Sequence, residues 1–240
     1  MRVICCNDYE EMSRKAAAVI VGQLTVNCCS VLGLATGSTP IGLYHELIDA
    51  YNRRAVDFSE CVTFNLDEYR EIESSDHNSY HSFMENNFFG RINVRPGNTH
   101  LPDGLAPADE ACARYEEAIE RAGGVDIQVL GIGNNGHIGF NEPAVDFPVK
   151  THVVELAEET RKANARFFSS LDAVPKSAIT MGIGTIMKSR LIILLANGAG
   201  KAEILRRALY GPVTPEVPAS ILRFHNNVLA VVDRDAASLL

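Results

Sequence analysis

The sequence predicts one α/β domain over residues 1–240, a Rossmann-like, mostly parallel sheet flanked by helices. Apolar runs of strand length alternate with helix-like stretches along the chain. Most of those runs are continuously hydrophobic rather than alternating, as strands are when helices cover both faces of a parallel sheet. With 240 residues, 46% of them hydrophobic and 22% charged, the chain is large enough for one substantial core. No internal repeat, low-complexity tract or Ser/Pro-rich linker divides it.

Taken in order, the strand candidates are Val3 to Cys6, Val31 to Ala35, Val62 to Leu66, Ile127 to Leu130, Val153 to Leu156, Ile179 to Ile183, Leu191 to Ala196 and Val228 to Val232. Between them lie helix candidates at Tyr9 to Leu24, Pro40 to Tyr51, Ala108 to Ala122, Glu158 to Phe168 and Gly200 to Tyr210. A net charge of -8, with no basic stripe carrying interleaved aromatics, argues against nucleic acid and for a small-molecule partner. The N-terminus MRVICCNDYEEM turns polar too soon for a signal peptide, and no apolar stretch reaches membrane-spanning length. The expectation is a cytoplasmic protein that does not engage a membrane. Cysteines 5, 6, 28, 29, 61 and 112 show no CxxC spacing, so reduced, mostly core-facing thiols are expected, with neither disulfide nor zinc.

The chemistry concentrates at the carboxyl ends of the strand candidates, where open parallel sheets bind ligands. After DIQVL comes GIGNNGHIGFNEP, a glycine-rich turn holding His137 five residues before Glu142, a spacing suited to acid/base work on a bound anion. The plain alternative is a structural histidine in a chain reversal. GIGNNG matches the letters of a dinucleotide fingerprint, but a loop with a histidine and an acid follows it instead of a helix, so nicotinamide fits poorly.

After Val31 to Ala35 comes TGSTP and an amphipathic helix. Proline in a first helical turn gives up no needed donor, and Ser38 and Thr39 set hydroxyls beside free amides at the positive helix end, which makes a phosphate cradle. Simple N-capping by Ser38 or Thr39 is the alternative. Cations to complete the cradle are Lys201 in NGAGKAEIL and Arg166 in ANARFF, the latter also readable as a solvated surface charge. The run VTFNL ends in Asp67 and Glu68, either of which could be a base.

The blocks LATGSTP, VTFNLDEY, NSYHSFMENNFF, GIGNNGHIGFNEP, TRKANARFF, VPKSAITMGIGTI and GAGKAEIL, in this order and nearly end to end, resemble the glucosamine-6-phosphate deaminase family. The resemblance implies cofactor-free, metal-free conversion of glucosamine 6-phosphate and water to fructose 6-phosphate and ammonium, in amino-sugar catabolism, with a mobile helical lid over about residues 156–175. It makes Asp67 the base that moves a proton from C2 to C1, His137 the group that opens the pyranose ring, and Glu142 its orienting partner. Asn135 stands where many members carry aspartate, so the ring-opening group would lack one negative charge and His137 would be less basic. The phosphate set becomes Ser38, Thr39, Arg166 and Lys201, with Arg166 inside the lid. The chain ends at Leu240 without the extension of longer, allosteric members, and His152, Val154 and Glu155 replace their effector-pocket basic residues. Activation by N-acetylglucosamine 6-phosphate is therefore not expected, and a monomer or small homo-oligomer is.

Rival readings remain. A 6-phosphogluconolactonase shares the fold and the phosphate cradle but has no use for a proton shuttle at Asp67. A galactosamine 6-phosphate isomerase differs only in epimer contacts. A non-catalytic sugar-phosphate sensor would need the cradle alone, and no helix-turn-helix segment precedes the first strand.

Overall fold

The structure, a computed structural model that describes residues 1–165, 168 and 170–240, alternates strands and helices as the apolar runs require. The strands are β1 (Arg2–Cys6), β2 (Val31–Leu34), β3 (Val62–Asn65), β4 (Asp67–Tyr69), β5 (Thr99–His100), β6 (Ile127–Leu130), β7 (His152–Glu155), β8 (Ser177–Thr180), β9 (Leu191–Ala196) and β10 (Val228–Asp233). The α-helices are α1 (Tyr9–Val26), α2 (Ile41–Asn52), α3 (Tyr80–Asn87), α4 (Ala108–Arg121), α5 (Glu158–Asn164), α6 (Ile183–Ile186) and α7 (Ala202–Tyr210).

Seven strands form one sheet in the order β1-β10-β9-β6-β2-β3-β5, every neighbour parallel. From β2 the chain moves outward to β3 and β5; from β6 it moves the other way through β9 to β10. The order reverses between β2 and β6, and the crevice beyond their carboxyl ends is where such sheets hold ligands. Both strands are buried at every position, as VLGL and IQVL demand. Gly33 faces Gln128 across this pair, and a Cβ at Gly33 would lie 2.1 Å from Gln128 Oε1, so only glycine lets the sheet carry that amide. Leu32, Leu34, Leu47, Ile193 and Leu194 are fully buried in the main core, each contributing about 1.5–3 kcal/mol relative to exposure.

A second, antiparallel sheet, β4-β8-β7, follows the carboxyl end of β3 and is not predicted by the apolar runs. Asp67 and Glu68, read as the end of the Val62–Leu66 run, belong to their own strand, in which Asp67 pairs with Thr180. The chain steps between sheets at Leu66, whose N–H bonds Leu34 and whose carbonyl accepts from Met181. A small core of Tyr69, Ile72, Phe140, Leu156 and Ala178 lies beneath this sheet.

Other expectations are corrected. The Ile179–Ile183 run is not one strand: β8 ends at Thr180, the Met181 N–H goes to the Leu66 carbonyl, and Ile183 starts α6 after Gly182, where a Cβ would lie 2.2 Å from the Lys150 carbonyl oxygen. The Val153–Leu156 run is not doubly buried; β7 alternates half-buried and exposed residues, as the edge of an antiparallel sheet does. Cys28 and Cys29 are not core-facing, since they fall in the turn after α1 and both are exposed; Cys5 is exposed as well, while Cys6 and Cys61 are buried. The helix expected to reach Phe168 ends at Asn164. No helix of the described residues is long and apolar enough to cross a membrane.

Candidate active site

The TGSTP loop bridges β2 and α2. Helix α2 has no side-chain cap: Pro40 occupies the cap position, and the Thr39 hydroxyl donates instead to Asn197 Oδ1 at 2.9 Å, in the loop after β9. The capping reading of Ser38 and Thr39 therefore fails: the N–H groups of Ile41 and Gly42 go to the Ser38 carbonyl and the Tyr9 hydroxyl, and the positive end of α2 lies beside the loop, where an anion is favoured. Lys201, in the turn that opens α7, donates from Nζ to Asn134 Oδ1 at 2.6 Å, in the loop after β6. Loops from three adjacent strands are thus cross-linked over the switch point, with the lysine among them.

The loop after β6 folds the His137 ring over Gly133. A Cβ at Gly133 would lie 2.3 Å from His137 Cε1 and Nε2, so glycine is the condition for this ring position. His137 Nδ1 is 3.4 Å from Glu142 Oε2, an ion-pair distance without a formed hydrogen bond. The same oxygen accepts from Asn135 Nδ2 at 2.6 Å, while Asn135 Oδ1 accepts from the His137 backbone N–H at 3.2 Å. Glu142 Oε1 accepts from Thr160 Oγ1 at 2.5 Å. Burial works to raise the Glu142 carboxyl, but His137, Thr160 and Asn135 outweigh it and hold it below its ordinary value.

Asp67 sits on the neighbouring wall: a Cβ at Gly139, two residues from His137, would be 3.5 Å from Asp67 Oδ2. Asp67 is buried, and its carboxylate makes no hydrogen bond or ion pair among the described residues. Burial, then repulsion from Glu68, pushes its carboxyl up to about 8. Glu68 differs. Its carboxylate accepts from the backbone N–H groups of Tyr69, Tyr80 and His81 at 2.9, 3.0 and 2.9 Å, tying β4 to the start of α3. Burial raises the Glu68 carboxyl and those three donors oppose it. Of the two carboxylates the sequence could not separate, Glu68 has its acceptor sites occupied by the backbone, and Asp67 has the unengaged oxygens that a base needs.

A family profile described as glucosamine-6-phosphate isomerases/6-phosphogluconolactonase matches residues 7–231. The chain belongs to that family. It is 55% identical to the glucosamine-6-phosphate deaminase of Clostridium botulinum (strain Alaska E43 / Type E3) over 241 aligned residues, covering 100% of this chain and 97% of that one. It is 53% identical to the enzyme of the same name from Clostridioides difficile (strain 630), at the same coverage. A solved structure of a monomeric glucosamine-6-phosphate deaminase superposes with a TM-score of 0.97 at 47% identity, covering 100% of both chains. A 6-phosphogluconolactonase from Thermotoga maritima shares the fold at a TM-score of 0.75 and 19% identity.

Within this family fold, Ser38, Thr39, Lys201, Asn135, His137, Glu142 and Asp67 gather at the carboxyl ends of β2, β6 and β9 and on β4, whereas Arg166 lies outside the described residues. Sequence reasoning missed the groups that hold these residues in place. The Tyr9 hydroxyl accepts from Gly42 N–H at 2.7 Å and sits 3.2 and 3.0 Å from the Ser38 and Thr39 carbonyls, pinning the TGSTP loop to α1. Asp233, ending β10, accepts from Gly198 N–H at 3.0 and 2.9 Å and shapes the Lys201 loop. The strand-end rule that found Asp67 would have found Asp233 as well. Among the described residues no cluster of three or more His, Cys, Asp or Glu could hold a metal ion.

Proposed function

We propose that this chain converts glucosamine 6-phosphate and water to fructose 6-phosphate and ammonium. The observation that carries the reading is the pairing, in one crevice, of Asp67, buried with its carboxylate unengaged, and a Glu142–His137 couple at ion-pair distance, beside a phosphate cradle. Full-length relatives at 55% and 53% identity that bear this activity's name support it. The phosphate sits in the TGSTP loop at the positive end of α2, with Ser38, Thr39 and Lys201, joined by Arg166 on the strength of its sequence context. His137, kept in register by Glu142 and Asn135, moves the proton from the anomeric hydroxyl to the ring oxygen, which opens the ring. Asp67 then takes the C2 proton and returns it to C1 through an enolamine. Water adds to C2 of the resulting imine and ammonium leaves. The segment 156–175, a lid by resemblance, would keep solvent away during the transfers.

A desolvated carboxylate suits the C2 step, because a base is strengthened where its charged form is poorly solvated, and the cationic amine of the substrate beside C2 offsets that cost on binding. A monomer in the cytoplasm is inferred with the activity, supported by the full-length likeness to a monomeric deaminase. The test is release of ammonium and fructose 6-phosphate by the purified chain from glucosamine 6-phosphate, with galactosamine 6-phosphate and 6-phosphogluconolactone run alongside. Turnover of glucosamine 6-phosphate is expected. Lactone hydrolysis without ammonium release would overturn the assignment.

A further inference from the structure

Helix α5 presents two polar side chains one turn apart, and each ends on a different wall of the site. Thr160 Oγ1 donates to Glu142 Oε1 at 2.5 Å, and Asn164 Nδ2 donates to the Tyr69 hydroxyl at 3.0 Å. The i, i+4 spacing puts both on one helix face. The other face carries Glu158 and Lys162, paired at 2.6 Å, with side chains 70% and 59% exposed, so the helix has one wet face and one facing the site.

Both bonds land on consequential groups. Glu142 has two oxygens: its own loop engages Oε2 through Asn135 and His137, and Thr160 alone among the described residues engages Oε1. A carboxylate held at one oxygen can still swing, whereas one held at both presents a fixed lone pair to His137. Tyr69 lies two residues along β4 from Asp67, so the two side chains share one strand face. Its ring packs against Phe140 and Phe168 with centroids 5.7 Å away in each case, and its hydroxyl also accepts from Tyr80 at 3.3 Å. Tyr69 is thus part of the apolar wall that keeps Asp67 dry, and Asn164 anchors it.

We propose that Thr160 and Asn164 are positioning residues through which α5 sets both halves of the acid/base site, Thr160 by locking Glu142 onto His137 and Asn164 by fixing Tyr69 beside Asp67. The inference rests on the deaminase reading for its kinetic readout. Neither residue touches the reacting atoms; each acts through the side chain it holds. The titratable group facing Glu142 is His137, from the loop after β6, and Asn135 and Thr160 complete its surroundings with uncharged donors.

Thr160→Val keeps the shape and removes the donor. Its kcat is expected to fall about tenfold with KM nearly unchanged, the loss of a charge-assisted hydrogen bond felt in the reaction step. Loss of that donor moves Glu142 up, so the acid limb of kcat/KM shifts to higher pH, and Thr160→Ser restores both. Because Thr160 acts through Glu142, adding Thr160→Val to Glu142→Gln costs little further kcat, a comparison that holds even if the valine variant is less stable. Independent costs in that cycle, or a Thr160→Val enzyme with the wild-type kcat and acid limb, would overturn the Thr160 half. Asn164→Leu is expected to lower kcat and to move the Asp67-dependent limb, and an unmoved limb would overturn the other half. Carbon NMR of the Glu142 carboxyl in substrate-free protein needs no turnover: an upward midpoint in Thr160→Val supports the brace, and an unmoved one defeats it even if the wild type releases no ammonium.

Discussion

Two carboxylates face the same crevice in opposite surroundings. Asp67, on β4, is buried without a hydrogen-bond donor among the described residues, and burial followed by repulsion from Glu68 lifts it to about 8. Glu142, after β6, is also partly buried, but the neighbouring His137 ring and the donors Thr160 and Asn135 reverse the effect and keep it low. Identical chemistry therefore yields one group that exchanges a proton near neutral pH and one that stays anionic. Environments that push paired titratable groups apart are how a single site assigns a base and an electrostatic support.

The sharpest way to break this contrast is Asp67→Asn, which leaves the shape and removes the proton acceptor. A loss of kcat of about a thousandfold or more is expected, the scale of general-base catalysis. Stability should move the other way. Asp67 is pushed up to about 8 in the folded protein against an ordinary 3.8, so folding favours its protonated form. That contribution is fully present below the unfolded pKa and is lost as pH rises toward the folded one. Asparagine has no proton to lose, so the variant's stability relative to wild type increases between about pH 4 and pH 8. Urea unfolding at pH 5 and pH 8.5 checks this, and a difference that does not change with pH would put Asp67 back in the ordinary carboxylate range.

Next in size is a change that leaves both carboxylates alone and loosens the cradle. Tyr9→Phe deprives Gly42 N–H of its 2.7 Å acceptor and frees the loop that carries Ser38 and Thr39. KM for the sugar phosphate is expected to rise about fivefold with kcat held, the pattern of lost uniform binding. A fall in kcat at constant KM would mean that the cradle and the acid/base walls are coupled more tightly than the geometry indicates.

How much of this was legible divides along the two sheets. The parallel sheet announced itself because β2, β6 and β9 are buried on both faces and so read as unbroken apolar runs. The glycine turn after β6 was equally readable, since its chemistry is contiguous in sequence. The antiparallel sheet was hidden. β4 is the tripeptide DEY, whose polarity reads as loop, and its partner β8 lies over a hundred residues away, so only tertiary pairing makes it a strand. Helix α3 escaped for a related reason: YHSFMENN buries only Met84 in full, and its anchor is Glu68 from another strand. Tyr9 and Thr160 carry no local signal, because each matters through a partner 30 or 18 positions away. The resemblance chose Asp67 over Glu68 as the base, but the physical reason for that choice is visible only in which carboxylate the backbone amides occupy.

The smallest expected effect probes the link between Asn135 and Glu142. Asn135 donates through Nδ2 to Glu142 Oε2 at 2.6 Å and accepts the His137 backbone N–H through Oδ1. Asn135→Asp keeps the acceptor and replaces the donor with a second carboxylate oxygen against Glu142. Two carboxylates at that distance do not both ionise; they hold one proton between them, and the pair titrates with one value lowered and one raised. Glu142 would then reach its fully anionic state later on the pH axis, and the acid limb of kcat/KM is expected to move up by about one pH unit. Above that limb kcat should stay within about threefold of wild type, because His137 keeps its ring position over Gly133 and its backbone contact to residue 135. The measurement is a pair of pH-rate profiles at matched ionic strength. Superimposable limbs would mean that the new carboxylate turns away from Glu142, and that the neutral amide at 135 is a matter of packing rather than of charge.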